Sequence, residues 1–307
     1  MISFLSSPKP WTGFVQQHQE NAVKSWLALH PDIEVILYGD ACGTAEVCKR
    51  LGAQHIPDIA ATPQGVPYFG AISDHAAKYA RYDIQCYVNC DILFTKNLLD
   101  ATKHIPFSQF LVIGQRIDLA EGVLMDVAKP DILEEMRSLS EKRMATLHPP
   151  AGSDYFLFQR GMWHGLPPVV IGRGGYDNAL IAFCIKKRIP VIDATMSIIA
   201  FHQFHGYGHA EGGASEVFDG DDATTNRSFM PINAIPVLED ACYSLKNRDL
   251  IRNRCRGDRL RYLFLKSCYG GQPYMAKLIQ LLWRIQIKLG FRNKQQISLK
   301  QIIDSFS

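Results

Sequence analysis

The feature that most constrains this chain is the rhythm of its N-terminal two-thirds, where short apolar runs alternate with helical patterns through brief turns. Ile2-Ser3-Phe4-Leu5 reads as a strand, and Pro8 and Pro10 break it. From Thr12 to His30 the pattern is helical: Val15, Ala22, Val23, Trp26, Leu27 and Leu29 share a broad face, and Pro31 stops it. Glu34-Val35-Ile36-Leu37-Tyr38 is a second strand, and a short helix over 44–51 follows, ended by Gly52. His55–Ile59 is a third strand, and a helix over 69–80 leads into the apolar run 86–94. Strands and helices alternating in this way predict βαβ units and a parallel sheet.

Further strands are expected over 110–116, 152–158, 190–193 and 197–202, with helices over 95–103, 130–145 and 179–187. Residues 203–230 are rich in Gly, Asp, Ser and Thr, with His202, His205 and His209 at their front, the pattern of a long functional loop or lid.

The run Cys86-Tyr87-Val88-Asn89-Cys90-Asp91-Ile92-Leu93-Phe94 reads as one buried strand. Asn89 and Asp91 are two apart, so on a strand they point to the same face. A carboxylate in such a run is costly to bury unless a cation or several donors meet it. Two readings stand side by side. Asp91 binds a divalent metal at the carboxyl end of a parallel strand, or it caps the turn Thr95-Lys96-Asn97.

No N-terminal apolar run with basic flanks is present, and no stretch approaches the roughly 18 apolar residues of a membrane span. The eight cysteines are scattered without a CxxC pair, which predicts free thiols in a reducing, cytoplasmic setting. The net charge of +3 conceals an asymmetry: residues 246–307 hold 14 Lys or Arg against three Asp, a net of +11, so residues 1–245 carry −8. Opposite signs in the two parts suggest two roles.

In the basic part, Tyr274–Leu289 reads as a helix. Lys277, Gln280, Arg284 and Lys288 line one side, and Leu278, Ile279, Leu281, Leu282, Trp283, Ile285 and Leu289 cover most of the rest. Such a helix suits an anionic membrane surface, here over residues 274–292, at the inner face of the membrane. It equally suits packing on the main domain with a solvated basic side. No recognition motif accompanies the basic residues, so nucleic acid is not expected.

Four polar clusters fall at ends of core strands: Asn89 with Asp91; Gly152-Ser153-Asp154; Gly172-Arg173-Gly174-Gly175-Tyr176-Asp177-Asn178; and His202, His205 and His209. Carboxyl ends of strands in an open α/β sheet share one crevice. Carboxylates, imidazoles and backbone donors gathered there suit a divalent cation and a diphosphate, with a separate carboxylate to take a proton from a hydroxyl. A nitrogen ligand from a histidine favours Mn over an all-oxygen Mg site. Arg116 and Asp118 follow a core strand within reach of the same crevice.

Asn89-Cys90-Asp91 after an apolar strand resembles a degenerate DxD motif of the GT-A-fold, nucleotide-diphospho-sugar glycosyltransferases. The 172–178 segment is similar to their glycine-rich loop with the catalytic carboxylate, and His202-Gln203-Phe204-His205 to their late metal-binding histidine. Pro10-Trp11, Gln19-Glu20-Asn21-Ala22, Ser25-Trp26, Gly39-Asp40, His55-Ile56-Pro57-Asp58 and Leu147–Phe156 resemble an uncharacterised bacterial group of that superfamily. The resemblance covers roughly residues 1–230.

It implies a GT-A-like (Rossmann-like) α/β domain over 1–230, with a central mostly parallel sheet flanked by helices, and a basic, mainly helical C-terminal extension over 231–307. It implies transfer of a sugar from a nucleotide-diphosphate donor to a hydroxyl of a glycan or lipid-linked acceptor, metal-assisted and inverting, in bacterial surface glycan assembly. Asp177 would be the base. Asp91, His205 and His202 would hold Mn2+ or Mg2+. Asn89 stands at the first Asp of DxD, Asp40 near the nucleoside and Lys9 near the phosphates. Asp154, Ser153, Gly174, Gly175 and Arg116 would meet the sugar substrates. Two other readings are a metal-dependent nucleotidyltransferase or phosphoesterase, and a catalytically degenerate binder of nucleotide sugar or glycan.

Overall fold

The structure is a computed structural model, and it describes residues 1–127, 129, 131–204, 213–253, 259–288 and 297–306. In chain order the first half holds β1 (Ile2–Ser6), α1 (Gly13–Leu27), β2 (Glu34–Tyr38), α2 (Thr44–Leu51), β3 (Gln54–Ile56), α3 (Phe69–Tyr79), β4 (Ile84–Val88), β5 (Ile92–Phe94), α4 (Asn97–Thr102), β6 (Leu111–Ile113), β7 (Ile117–Leu119), α5 (Ile132–Glu141) and β8 (Ala145–Leu147). The second half holds β9 (Tyr155–Gln159), α6 (Tyr176–Lys187), β10 (Val191–Met196), β11 (Ala200–His202), α7 (Gly213–Asp219), α8 (Asp221–Ser228), β12 (Tyr243–Lys246), β13 (Asp249–Arg252), α9 (Arg259–Tyr269), α10 (Pro273–Lys288) and α11 (Leu299–Phe306).

Nine strands form the central sheet in the order β13-β12-β10-β6-β9-β4-β1-β2-β3. Neighbours are mostly parallel; β9 runs against both β4 and β6, and β13 runs against β12. The strands read as unbroken apolar runs because helices cover both faces. Phe4, Cys86 and Leu157 point into one core, where Phe4 stacks on Trp26 of α1 with ring centroids 5.4 Å apart. Leu5, Tyr87 and Phe156 point into the other, built around Phe69 and Trp163. This is the α/β class expected from the sequence.

A second sheet, β5-β11-β7-β8, stands beside the first. The expected single strand over 86–94 is therefore two strands in two sheets. Asn89–Asp91 form a turn in which the Ile92 N–H donates to the Asn89 carbonyl at 3.2 Å, and the chain leaves one sheet there for the other. The strand expected over 110–116 is β6 alone, and β7 begins just past its expected end, in the second sheet.

The stretch 203–230, expected as a loop or lid, contains the helices α7 and α8; residues 205–212 lie outside the described residues. Beyond residue 230, β12 and β13 extend the central sheet, so the sheet crosses the boundary expected at 230/231. Asp240, 5% exposed, takes two bonds from Arg261 (2.8 and 2.9 Å) and pins α9. Leu299, Ile302 and Ile303 of α11 enter the same core as Trp26. The seven described cysteines are free.

Candidate active site

The antiparallel strand β9 brings two of the polar clusters together. Val88 at the end of β4 pairs with Tyr155 at the start of β9, and the next step along is a 2.9 Å bond from the Asn89 N–H to the Asp154 carbonyl. Ser153 and Asp154 thus sit beside Asn89 at the edge where the parallel strands end. Across from them α6 begins, after Gly175 at φ +84°, with Tyr176 and Asp177 in its first turn.

Side chains tie this edge to the second sheet. Asn89 Nδ2 donates to Asp154 Oδ1 at 2.6 Å. Arg116 bonds the other Asp154 oxygen and donates through Nε to Asp118 Oδ1 at 2.8 Å. Asp118 lies 2.7 Å from His148 Nδ1 and 3.3 Å from His202 Nδ1. Burial opposes ionisation of Asp118, but the bonds to His148, His202 and Arg116 outweigh it and hold the carboxyl far below its usual range. Burial likewise works against the Arg116 charge, and Asp154 and Asp118 more than restore it.

Several of the expected site residues already have partners within the protein. Arg116 commits its guanidinium to Asp118 and Asp154. Asp154, 8% exposed, has both oxygens engaged within the protein. Ser153 contributes backbone: its N–H donates to Asp177 Oδ2 at 3.3 Å, and its carbonyl lies 3.2 Å from the Tyr176 hydroxyl. That hydroxyl is also 3.3 Å from Asn89 Oδ1. Asn89 and Asp91, expected on one strand face, part at the turn: Asn89 turns to Asp154, while Asp91 Oδ2 faces Lys9 Nζ at 3.7 Å.

The glycines at 174 and 175 make close approach possible, but to the chain itself. The Gly174 N–H donates to the Val217 carbonyl at 2.8 Å, and a Cβ on Gly174 would stand 2.8 Å from the Phe218 carbonyl. A Cβ on Gly175 would meet Arg227 Cγ at 3.1 Å. At both positions the neighbours that a Cβ would meet belong to α7 and α8.

Asp177 is 8% exposed. Burial pushes its carboxyl up to about 7, with the Asp154 charge adding to the rise and backbone N–H groups at Asn178, Ser153 and Asp177 itself pulling against it. A carboxyl in that range exchanges a proton readily near neutral pH.

Asp91 is 7% exposed. Gln203, fully buried, secures its backbone: the Gln203 N–H and Nε2 both reach the Asp91 carbonyl, at 3.3 and 3.2 Å, and Nε2 also donates to the His18 carbonyl at 2.8 Å. The β5–β11 register places His202 opposite Ile92, and the next pair is Gln203 with Asp91. His202 turns Nδ1 to Asp118, so a ligand role for it falls to Nε2. His205 and His209 lie outside the described residues. Among the described residues no group of three or more His, Cys, Asp or Glu stands ready to hold a metal, and Lys9 already brings positive charge to Asp91. Asp40 is exposed, two residues beyond β2.

Sequence reasoning placed Asp118 near the crevice but missed it as a hub, and missed His148 and Gln203. The alternation Ile117-Asp118-Leu119 carries a signal for the first: a lone polar residue between two buried apolar ones points to the opposite face of a strand.

No protein-family model matches the chain, and no curated protein matches it. Among solved structures, residues 1–349 of S. aureus TarS are 12% identical, with a TM-score of 0.38 over 66% of this chain and 57% of that one. M. tuberculosis glucosyl-3-phosphoglycerate synthase is 13% identical, with a TM-score of 0.43 over 75% of this chain and 78% of that one. A complex of the same synthase with Mn2+, UDP and glucosyl-3-phosphoglycerate is 14% identical, with a TM-score of 0.40 over 67% and 72%. The chain thus spans less than two-thirds of the TarS fragment.

Proposed function

We propose that this chain is a glycosyltransferase of the GT-A-like kind, moving a sugar from a nucleotide-diphosphate donor to a hydroxyl of a glycan or lipid-linked acceptor. The observation that carries the reading is Asp177: a buried carboxylate held near neutrality, at a helix start, beside the edge where the carboxyl ends of β1, β2 and β4 converge. That edge is where an open α/β sheet binds its ligand.

Asp177 takes the proton from the acceptor hydroxyl as that oxygen attacks the anomeric carbon and the nucleoside diphosphate departs. A single base on the acceptor side makes the reaction inverting. Lys9 offsets negative charge on the diphosphate, and Asp40 lies on the side of the nucleoside. Asn89, Asp154, Arg116 and Ser153 form the floor that fixes Tyr176 and Asp177. A divalent cation, Mn2+ or Mg2+, would have Asp91 and His202 as donors, with His205 as the third. Such an ion supplies charge compensation for the leaving diphosphate. Assembly of a bacterial surface glycan is the role that fits these parts.

A second reading, a nucleotide-sugar binder without turnover, draws on Asn89 in place of an acidic residue and on Lys9 at Asp91. One experiment separates the readings. The full chain is incubated with a panel of nucleotide-diphosphate sugars, with Mn2+ or with chelator, and nucleotide release is followed. Release by the native chain, reduced at least about a hundredfold in Asp177→Asn, supports the transferase. Donor binding without release supports the binder. Cleavage of simple phosphodiesters with no donor preference would point to a phosphoesterase.

A further inference from the structure

The structure turns the apolar side of α10 outward. Ala276 and Ile279 are buried against α9, and Trp283 stacks on Phe264 of α9 with ring centroids 6.1 Å apart. The opposite side carries Tyr274 (86% exposed), Leu278 (53%), Leu281 (56%) and Ile285 (45%), with Met275 and Leu282 next to them. At 3.6 residues per turn, positions 274, 278, 281 and 285 form one continuous stripe. Of the sixteen exposed large hydrophobic residues among those described, seven lie on this one helix. A soluble surface rarely gathers them so.

Lys277, Arg284 and Lys288 flank that stripe on one side, and all three are exposed. They belong to the segment whose net charge is +11. An apolar stripe edged by cations fits a surface that is apolar below and anionic above. A second copy of the chain would bring its own cations against these three. The helix is not a span, since no described helix is long and apolar enough to cross a membrane.

We infer that the outer face of α10 lies in the interface of an anionic phospholipid bilayer, with the stripe in the acyl boundary and the three cations at the headgroups. The inference goes beyond the transferase reading and does not depend on it. It would place the sheet edge with Asp177 on a protein held at the bilayer, since α10 packs on α9 and α9 packs on α6.

The test is cosedimentation of the full chain with vesicles of phosphatidylglycerol and phosphatidylcholine, or of phosphatidylcholine alone, with no donor present. The expected result is binding to the anionic vesicles that falls at least about tenfold in Leu281→Asp/Ile285→Asp. It should fall roughly a hundredfold in Lys277→Gln/Arg284→Gln/Lys288→Gln. Both variants change exposed residues, and an unaltered thermal melt shows that they fold. Absence of binding by the native chain, or binding indifferent to either variant, overturns the proposal. So does a native dimer, seen by sedimentation without lipid, that Leu281→Asp/Ile285→Asp dissolves, because the stripe would then join two copies. Donor turnover is not read in this experiment, so its failure and failure of the transferase reading are distinct results.

Discussion

Asn89 donates to Asp154 across the β4–β9 junction, with 2.6 Å between Nδ2 and Oδ1, and the neutral amide is what makes that approach favourable. An acidic residue at 89 would set two carboxylates against each other. Asn89→Asp is therefore expected to destabilise the fold by about 2–4 kcal/mol near pH 7. Like charge raises the folded-state pKa of one partner, so stability is lost as pH rises through that value. The penalty should be small near pH 4 and grow toward pH 7, as urea unfolding across that range will show. A penalty independent of pH would mean the pair does not meet.

Asp177 has the opposite relation to solvent from most carboxylates. Its folded-state value, about 7, lies above the ordinary 3.8, so its contribution to stability is present below pH 4 and is lost as pH rises through 7. Asp177→Asn removes the titration. Relative to the native chain it should gain on the order of 2–4 kcal/mol between pH 4 and pH 8 while losing turnover. Native turnover should rise with pH through about 7, when the base ionises. Parallel unfolding curves for the two proteins at all pH values would refute this assignment.

Asp118 titrates the other way. Its folded-state value is depressed by His148, His202 and Arg116, so its stabilisation is present above the ordinary carboxylate range and is lost as pH falls below about 4. Asp118→Asn should cost about 2–3 kcal/mol at pH 7, and the gap to the native chain should close in acid. Chemical unfolding at pH 7 and near pH 3 measures both.

Gly174 and Gly172 separate packing from backbone strain. A Cβ at 172 meets open space, though φ is +62°, so Gly172→Ala should cost about 1–2 kcal/mol. At 174 the Cβ collides with the Phe218 carbonyl and Arg227, so Gly174→Ala should cost about 1–3 kcal/mol. The distinguishing readout is hydrogen exchange in 213–228, which should speed up in Gly174→Ala alone.

The fold was legible because its strands are covered on both faces. Residues such as Val35–Tyr38 and Tyr155–Phe158 must then be apolar at every position, and that pattern survives in one dimension. The turn at Asn89–Asp91 was not legible, since the apolar residues on its two sides look like one strand. Their assignment to separate sheets depends on β9 and β11, which lie 60 or more residues away along the chain.

The sequence by itself determined the α/β class, the alternation of strands and helices, and the basic character of the C-terminal part. These follow from composition and period, which are local. Only the tertiary structure decided which groups answer which. Asp154 is occupied by Asn89 and Arg116, Asp118 gathers two histidines, the glycines at 174 and 175 face Phe218 and Arg227, and α10 shows its leucines to the outside. The physical reason is that a hydrogen bond or a desolvated charge depends on a partner a few ångströms away in space, and chain order does not carry that distance.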